Sequence, residues 1–157
     1  VTIAAADVDT AGVNPSIILN NNITYANATS GLLAIGEQDV LVGLSVPDNM
    51  TLNGIFAAQN GRFGRNHYCQ GECDSGHGGS EGLPTALDPY YQRSTLTVNG
   101  TIVSNGREGT KWTSGGTFIS GFNTRTNSYD RDLVSDPPPL TPEVSDTYEF
   151  IEWREVN

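Results

Sequence analysis

The sequence predicts an all-β domain built as a right-handed parallel β-solenoid, with an ordinary β-sandwich as the alternative. Three observations lead there. Helix-favouring Lys, Glu, Met and Gln are scarce, while Thr, Asn, Gly, Val, Ile and Ser dominate; Asn and Gly compete with helical hydrogen bonding or raise its entropic cost. The apolar segments are short and end in Gly, Asn, Asp or Pro, the pattern of strands closed by tight turns. Finally, two segments resemble each other. Thr51-Leu-Asn-Gly-Ile-Phe-Ala-Ala-Gln-Asn-Gly-Arg62 aligns with Thr97-Val-Asn-Gly-Thr-Ile-Val-Ser-Asn-Gly-Arg107, one residue shorter. With only a few residues between Asn-Gly corners, stacked parallel rungs suit these segments better than a hairpin. A rung buries its apolar face only against its neighbours, so the pair reads as equivalent turns of one coil.

Taken in order, Val1–Ile3 with Ala4–Ala6 is a first small apolar strand. Ser16-Ile-Ile-Leu19 is a second, closed by Asn20-Asn-Asn22, and Ile23-Thr-Tyr25 a third. Gly31–Ile35 and Val40–Val46 follow, separated by the turn Gly36-Glu-Gln-Asp39. The two related segments come next, and the coil is expected to run from about Ser16 to Asn127. Its core is expected to include Ile17, Leu19, Leu33, Ile35, Leu41, Val42, Leu52, Ile55, Leu96, Val98 and Ile102. Residues 65–93 form a Cys- and Gly-rich loop insertion, of the kind that more often carries function than fills space. From about residue 134 to 157 the chain changes again. Asp136-Pro-Pro-Pro139 is stiff and extended, and Tyr148–Val156 alternates as a final strand.

At 157 residues the chain is long enough for one domain and too short for two comfortable ones. Lys and Arg number 8 against 18 Asp and Glu, a net charge of -10. That balance argues against nucleic acid and against contact with anionic membranes, both of which need basic surfaces. No apolar run approaches the ~20 residues of a membrane span. Low Lys content, abundant Asn, Thr and Gly and the acidic balance fit a secreted or surface-displayed protein.

Several blocks carry a family resemblance. Leu52-Asn-Gly-Ile-Phe-Ala-Ala-Gln-Asn-Gly-Arg-Phe-Gly-Arg65, Leu96-Thr-Val-Asn-Gly-Thr-Ile-Val-Ser-Asn-Gly106, Gly121-Phe122 with Asn127-Ser-Tyr-Asp130 and Leu133, Pro137-Pro-Pro-Leu-Thr-Pro142 and Phe150-Ile-Glu-Trp-Arg-Glu-Val156 stand in order. Together they are similar to the C-terminal region of bacterial pilin-like, PilX-class proteins associated with type IV pilus assembly, over roughly Val40 to Val156. The resemblance implies a repetitive β-rich head displayed outside the cell, behind an N-terminal pilin-type membrane helix. A short basic leader and an apolar helix are therefore expected upstream of Val1. The family brings no catalytic residues and no cofactor. The expectation is a non-enzymatic structural or adhesive extracellular domain, or a filament subunit. Its partners are other surface or pilus proteins, its own copies, or glycans. A carbohydrate-binding module or a polysaccharide-degrading enzyme is the alternative.

The clearest local feature is Cys69-Gln-Gly-Glu-Cys73. In an oxidising compartment Cys69 and Cys73 are expected to form a disulfide that orders the insertion. The same residues with His67 and His77 make two imidazoles and two thiolates, an alternative zinc donor set of unfamiliar spacing. Tyr68, Tyr90, Tyr91 and Trp112 offer ring area for a sugar- or protein-binding surface, or a cover for the end of the coil. Asp7/Asp9 and Asp130/Asp132 read as solvated turn residues rather than calcium ligands, lacking a spaced acidic loop. A nucleophilic reading of Asp74, Ser75 and His77 lacks a fixed geometry. The acceptor patterns at Asn22, Asn27, Asn49 and Asn99 are read first as corner asparagines.

Overall fold

The computed structural model describes residues 1–8, 12–70 and 80–141, with only the backbone at 80–82. In chain order the strands are β1 (Thr2–Ala5), β2 (Ile17–Leu19), β3 (Leu33–Gly36), β4 (Val40–Val42), β5 (Asn49–Ala58), β6 (Phe63–Gly64), β7 (His67–Gln70), β8 (Ser80–Leu83), β9 (Gln92–Ser104), β10 (Lys111–Ser114) and β11 (Thr117–Ser128). A 3₁₀ turn spans Thr85–Tyr90, and one helical turn, α1, spans Asp132–Ser135. Strand makes up 49% of the described residues and helix 8%, so the low helix content expected of an Asn- and Gly-rich chain holds among them. A six-stranded sheet has the order β1-β3-β5-β9-β11-β10, a three-stranded sheet β2-β4-β6, and β7 pairs β8.

Neither predicted architecture describes this arrangement. The large sheet is mixed: its first five strands run parallel, but β10 returns antiparallel to β11. That hairpin turns through Gly115 and Gly116, both at positive φ (56° and 84°), the backbone a two-residue hairpin turn requires. The solenoid reading rested on short pieces between Asn-Gly corners. In the structure, β5 runs 10 residues and β9 runs 13, and Asn53-Gly54 and Asn99-Gly100 lie inside them rather than at corners. The sandwich alternative fares no better, because the three-stranded sheet is parallel throughout.

The offset between the related segments is nevertheless physical. Thr51 pairs with Thr97, and the register continues through Asn53–Asn99 and Gly54–Gly100 to Ala58–Ser104. Asn99 Nδ2 donates to Asn53 Oδ1 at 3.0 Å, and Asn99 Oδ1 accepts from the Ser128 hydroxyl on β11. A polar ladder thus crosses three parallel strands, and it occupies the side chain of one of the glycosylation-pattern asparagines. Two others are also engaged. Asn22 Oδ1 accepts from the Thr51 amide at 2.9 Å, and Asn27 Oδ1 from the Thr29 amide at 3.2 Å.

The core lies between the two larger sheets. Met50, Leu52, Phe56 and Ala58 of β5, Leu96 and Val98 of β9 and Phe122 of β11 meet Leu19, Val40, Val42 and Phe63 from the small sheet. In β5 the buried positions alternate without a break, as a half-buried strand requires. Of the expected core, Leu19, Leu33, Val42, Leu52, Leu96 and Val98 are buried, and Ile17 and Ile102 pack at its margin. Ile35, Leu41 and Ile55 are not fully buried; each alternates with buried neighbours, on the opposite face of its strand. The Pro-rich stretch returns to the start of the chain: Pro138 and Leu133 pack on Gly31, and the Thr2 hydroxyl donates to the Pro139 carbonyl. The expected final strand at 148–156 lies outside the described residues.

Candidate functional site

Two surfaces at opposite ends of the large sheet carry distinct chemistry. The first is a basic cleft beside β10, and a repeated tripeptide builds it. Asn60-Gly61-Arg62 and Asn105-Gly106-Arg107 each follow a long strand, and their turns stack: the Gly106 amide donates to Gly61 O at 2.6 Å and Asn105 Nδ2 to Asn60 O at 3.2 Å. Beyond the second turn the chain runs beside β6. Gly64 bridges Gly109 in parallel, and a Cβ on Gly64 would stand 2.9 Å from the Gly109 carbonyl. This close approach sets Arg62, Arg107, Glu108, Lys111, Trp112 and Thr113 around a cavity of about 320 Å³.

The cleft concentrates positive charge on an acidic chain. Arg62, Arg107, Lys111 and Arg125 are four of only 8 basic residues. Glu108 is the one carboxylate among the cleft's lining residues, and Arg125 Nη1 neutralises it at 2.6 Å. Arg62 Nη2 donates to Asn66 Oδ1 at 3.1 Å, and Lys111 Nζ to the Asn123 carbonyl at 2.5 Å. Among the described residues none of Arg62, Arg107 and Lys111 forms an ion pair with a carboxylate. The Trp112 ring packs edge-on against His67 (centroids 5.4 Å apart, planes at 71°), and its buried Nε1 has no acceptor among the described residues.

The second surface is the opposite edge. β1 begins the large sheet and β2 the small one, so among the described residues each has a strand on one side only. Val1, Ile3, Val8 and Ile18 are exposed here, Ile3 at 52% and Ile18 at 61%. Close by, the Asp7 amide donates to Glu37 Oε2 at 2.6 Å.

The residues singled out from sequence divide between roles. Tyr68 lies on β7 under the Arg65 guanidinium (5.5 Å to its ring), and Tyr90, at the end of the 3₁₀ turn, lies under that of Arg93 (4.5 Å). The Tyr91 carbonyl accepts from the Gly121 amide at 2.9 Å, tying the excursion to β11. Only Trp112 of this group lines the basic cleft. His67 and Cys69 sit two apart on β7, hence on one face of the strand; Cys73 and His77 lie outside the described residues, as do Asp9, Asp74 and Ser75. Among the described residues no three His, Cys, Asp or Glu side chains gather as a metal site. Asp130 Oδ1 accepts from the Asp132 amide at 3.1 Å, a local turn bond.

Arg62, Arg107 and Lys111 were not singled out by the sequence reading. For the two arginines the signal is the duplicated Asn-Gly-Arg, which carries a charge pair as well as a structural repeat. Arg65 went unnoticed too. It is fully buried, and donates to the carbonyls of Gly43 (2.9 Å), Leu44 (3.0 Å) and Tyr90 (2.7 Å). Burial pushes its pKa down to about 10, still charged at neutral pH. Comparison of the chain with protein-family models, with curated proteins and with solved structures gives no match in any of the three.

Proposed function

We propose that the protein is a non-enzymatic structural and adhesive domain of a pilin-like surface protein, displayed outside the cell and assembling with its own copies. The observation that carries this reading is the edge at β1 and β2, where among the described residues only the Pro138–Pro139 stretch touches the start of β1 and no strand pairs alongside. An edge strand offers unpaired backbone groups to any strand laid beside it, and proteins that remain monomeric usually blunt such edges with Lys, Pro or bulges. Here β1 reads Thr-Ile-Ala-Ala and β2 Ile-Ile-Leu, with no charge or proline in either. The apolar side chains around them add area that association would remove from water.

Sedimentation velocity tests the reading. The protein is expected to self-associate with rising concentration, and Ile3→Lys with Ile18→Lys to weaken association tenfold or more by charging both edges. Monomer at every concentration for the unmodified chain overturns it. Incubation with a panel of polysaccharides should release no new reducing ends; turnover on any of them overturns the non-enzymatic part.

The compartment has its own test. In protein secreted from cells, Cys69 and Cys73 are expected to be joined, so the intact mass should rise by about 2 Da on reduction, one hydrogen per sulfur. Two free thiols in the secreted form, or a stoichiometric zinc ion removed by chelator, would reverse that expectation.

A further inference from the structure

We propose that the cleft between Arg62, Arg107 and Lys111 binds a single uronate residue of a glycan, holding its carboxylate between the two guanidinium groups and its ring beside Trp112 and Thr113. This site is separate from the β1/β2 edge and goes beyond the assembly reading. Its size comes first: about 320 Å³ lies at the small end of ligand pockets, enough for one polar ring and short of an extended chain. Its charge comes second. Two arginines carried on stacked turns offer planar forks that match a carboxylate in two-point contact, and Lys111 adds a third positive charge from the neighbouring strand. Glu108, bound to Arg125, does not cancel them.

The charge of the whole chain narrows the ligand further. At a net -10 the molecule repels a long polyanion while the cleft attracts one negative group locally. That combination disfavours nucleic acid and heavily charged polysaccharide, and selects an isolated carboxylate among neutral groups. Trp112 favours a sugar over an acidic peptide, because an indole beside a polar cleft offers apolar area to a pyranose ring. The lining contains no aliphatic pocket for a peptide side chain.

Isothermal titration with matched probes tests this. Glucuronosyl-glucose is expected to bind and neutral cellobiose to bind at least tenfold more weakly. Arg107→Glu and Arg62→Glu should each weaken the acidic disaccharide tenfold or more, with unchanged melting temperature. Raising the salt concentration should weaken it too. The binding should quench tryptophan fluorescence in the unmodified protein and not in Trp112→Phe. Equal affinity for cellobiose overturns the role of charge. An acetylated tri-glutamate peptide binding as tightly as the disaccharide overturns the glycan assignment. Absence of binding to either disaccharide at millimolar concentration overturns the site itself.

Discussion

Replacing Gly100 by alanine is expected to destabilise the protein by on the order of 3 kcal/mol or more, a fall in melting temperature of roughly 6–12 °C for a domain of this size. Two effects combine at this position. The backbone there has φ +139°, a region that side chains strain to occupy, and a Cβ would stand 2.0 Å from the Gly54 carbonyl oxygen. That oxygen belongs to β5, the strand paired with β9, so no flexible side-chain end can swing aside. The two strands must separate, and the Asn53–Asn99 bond one residue away opens with them. Gly115→Ala separates the two effects. It also has positive φ, +56°, but a Cβ there meets nothing within 4 Å, so only backbone strain of about 1 kcal/mol remains. Thermal denaturation of both variants is the measurement. A Gly100→Ala protein that melts within about 2 °C of the unmodified chain would show that the parallel approach of β5 to β9 is looser than described.

The same glycines show what could be read from the sequence and what could not. Laying Thr51–Arg62 on Thr97–Arg107 gives the true register over Thr51–Ala58 and Thr97–Ser104, because the shared Thr-x-Asn-Gly start reflects the ladder that stacks the two strands. The role of the glycines was misjudged. An Asn-Gly pair reports a positive φ, and that conformation serves a kink inside a strand as well as a corner between strands. The alternation Met50, Leu52, Gly54, Phe56, Ala58 runs straight across the pair and marks one continuous strand. Cutting the segment at the glycine hid that period, and with it the burial of Phe56. The antiparallel return is legible in Ser114-Gly-Gly-Thr117, a hairpin signal that a parallel coil does not accommodate.

The candidate site divides along the same line. The tyrosines of the 65–93 excursion were found by composition, but which of them line a surface depends on arginines distant in sequence. Arg93 covers Tyr90 and Arg65 covers Tyr68. The duplicated arginines of the basic cleft sat in plain view within the repeat. What composition could not reveal is that the turns carrying them stack, because the net charge of -10 averages away a local positive field.

Arg65→Met is expected to cost about 3 kcal/mol and to loosen the 65–93 excursion from the body of the fold. Among the described residues no carboxylate stands beside the buried guanidinium, so part of its interaction is spent against desolvation, as its depressed pKa of about 10 records. Replacing a buried ion pair with apolar residues can be neutral, but Arg65 is not in a pair. Its partners are the backbone carbonyls of Gly43, Leu44 and Tyr90, which remain after substitution. The Gly43 carbonyl is the buried one of the three contacts, and leaving it without a donor costs roughly 1–3 kcal/mol by itself. The cation–π contacts with Phe122 and Tyr68, at 5.4 and 5.5 Å, add about 1 kcal/mol. These losses exceed the relief from removing a charge, because methionine fills the volume but donates nothing. Arg65→Lys should recover little, since one ammonium on a flexible stem does not reproduce a planar fork reaching carbonyls on two loops. Because Arg65 joins residues 43–44 to residue 90, the loss should be felt first in the excursion. Limited proteolysis of Arg65→Met is expected to cut between residues 66 and 91 well before the β5–β9–β11 sheet, with a melting temperature lower by roughly 6–12 °C. Cleavage at the unmodified rate, or full rescue by lysine, would mean that Arg65 fills space without holding the excursion in place.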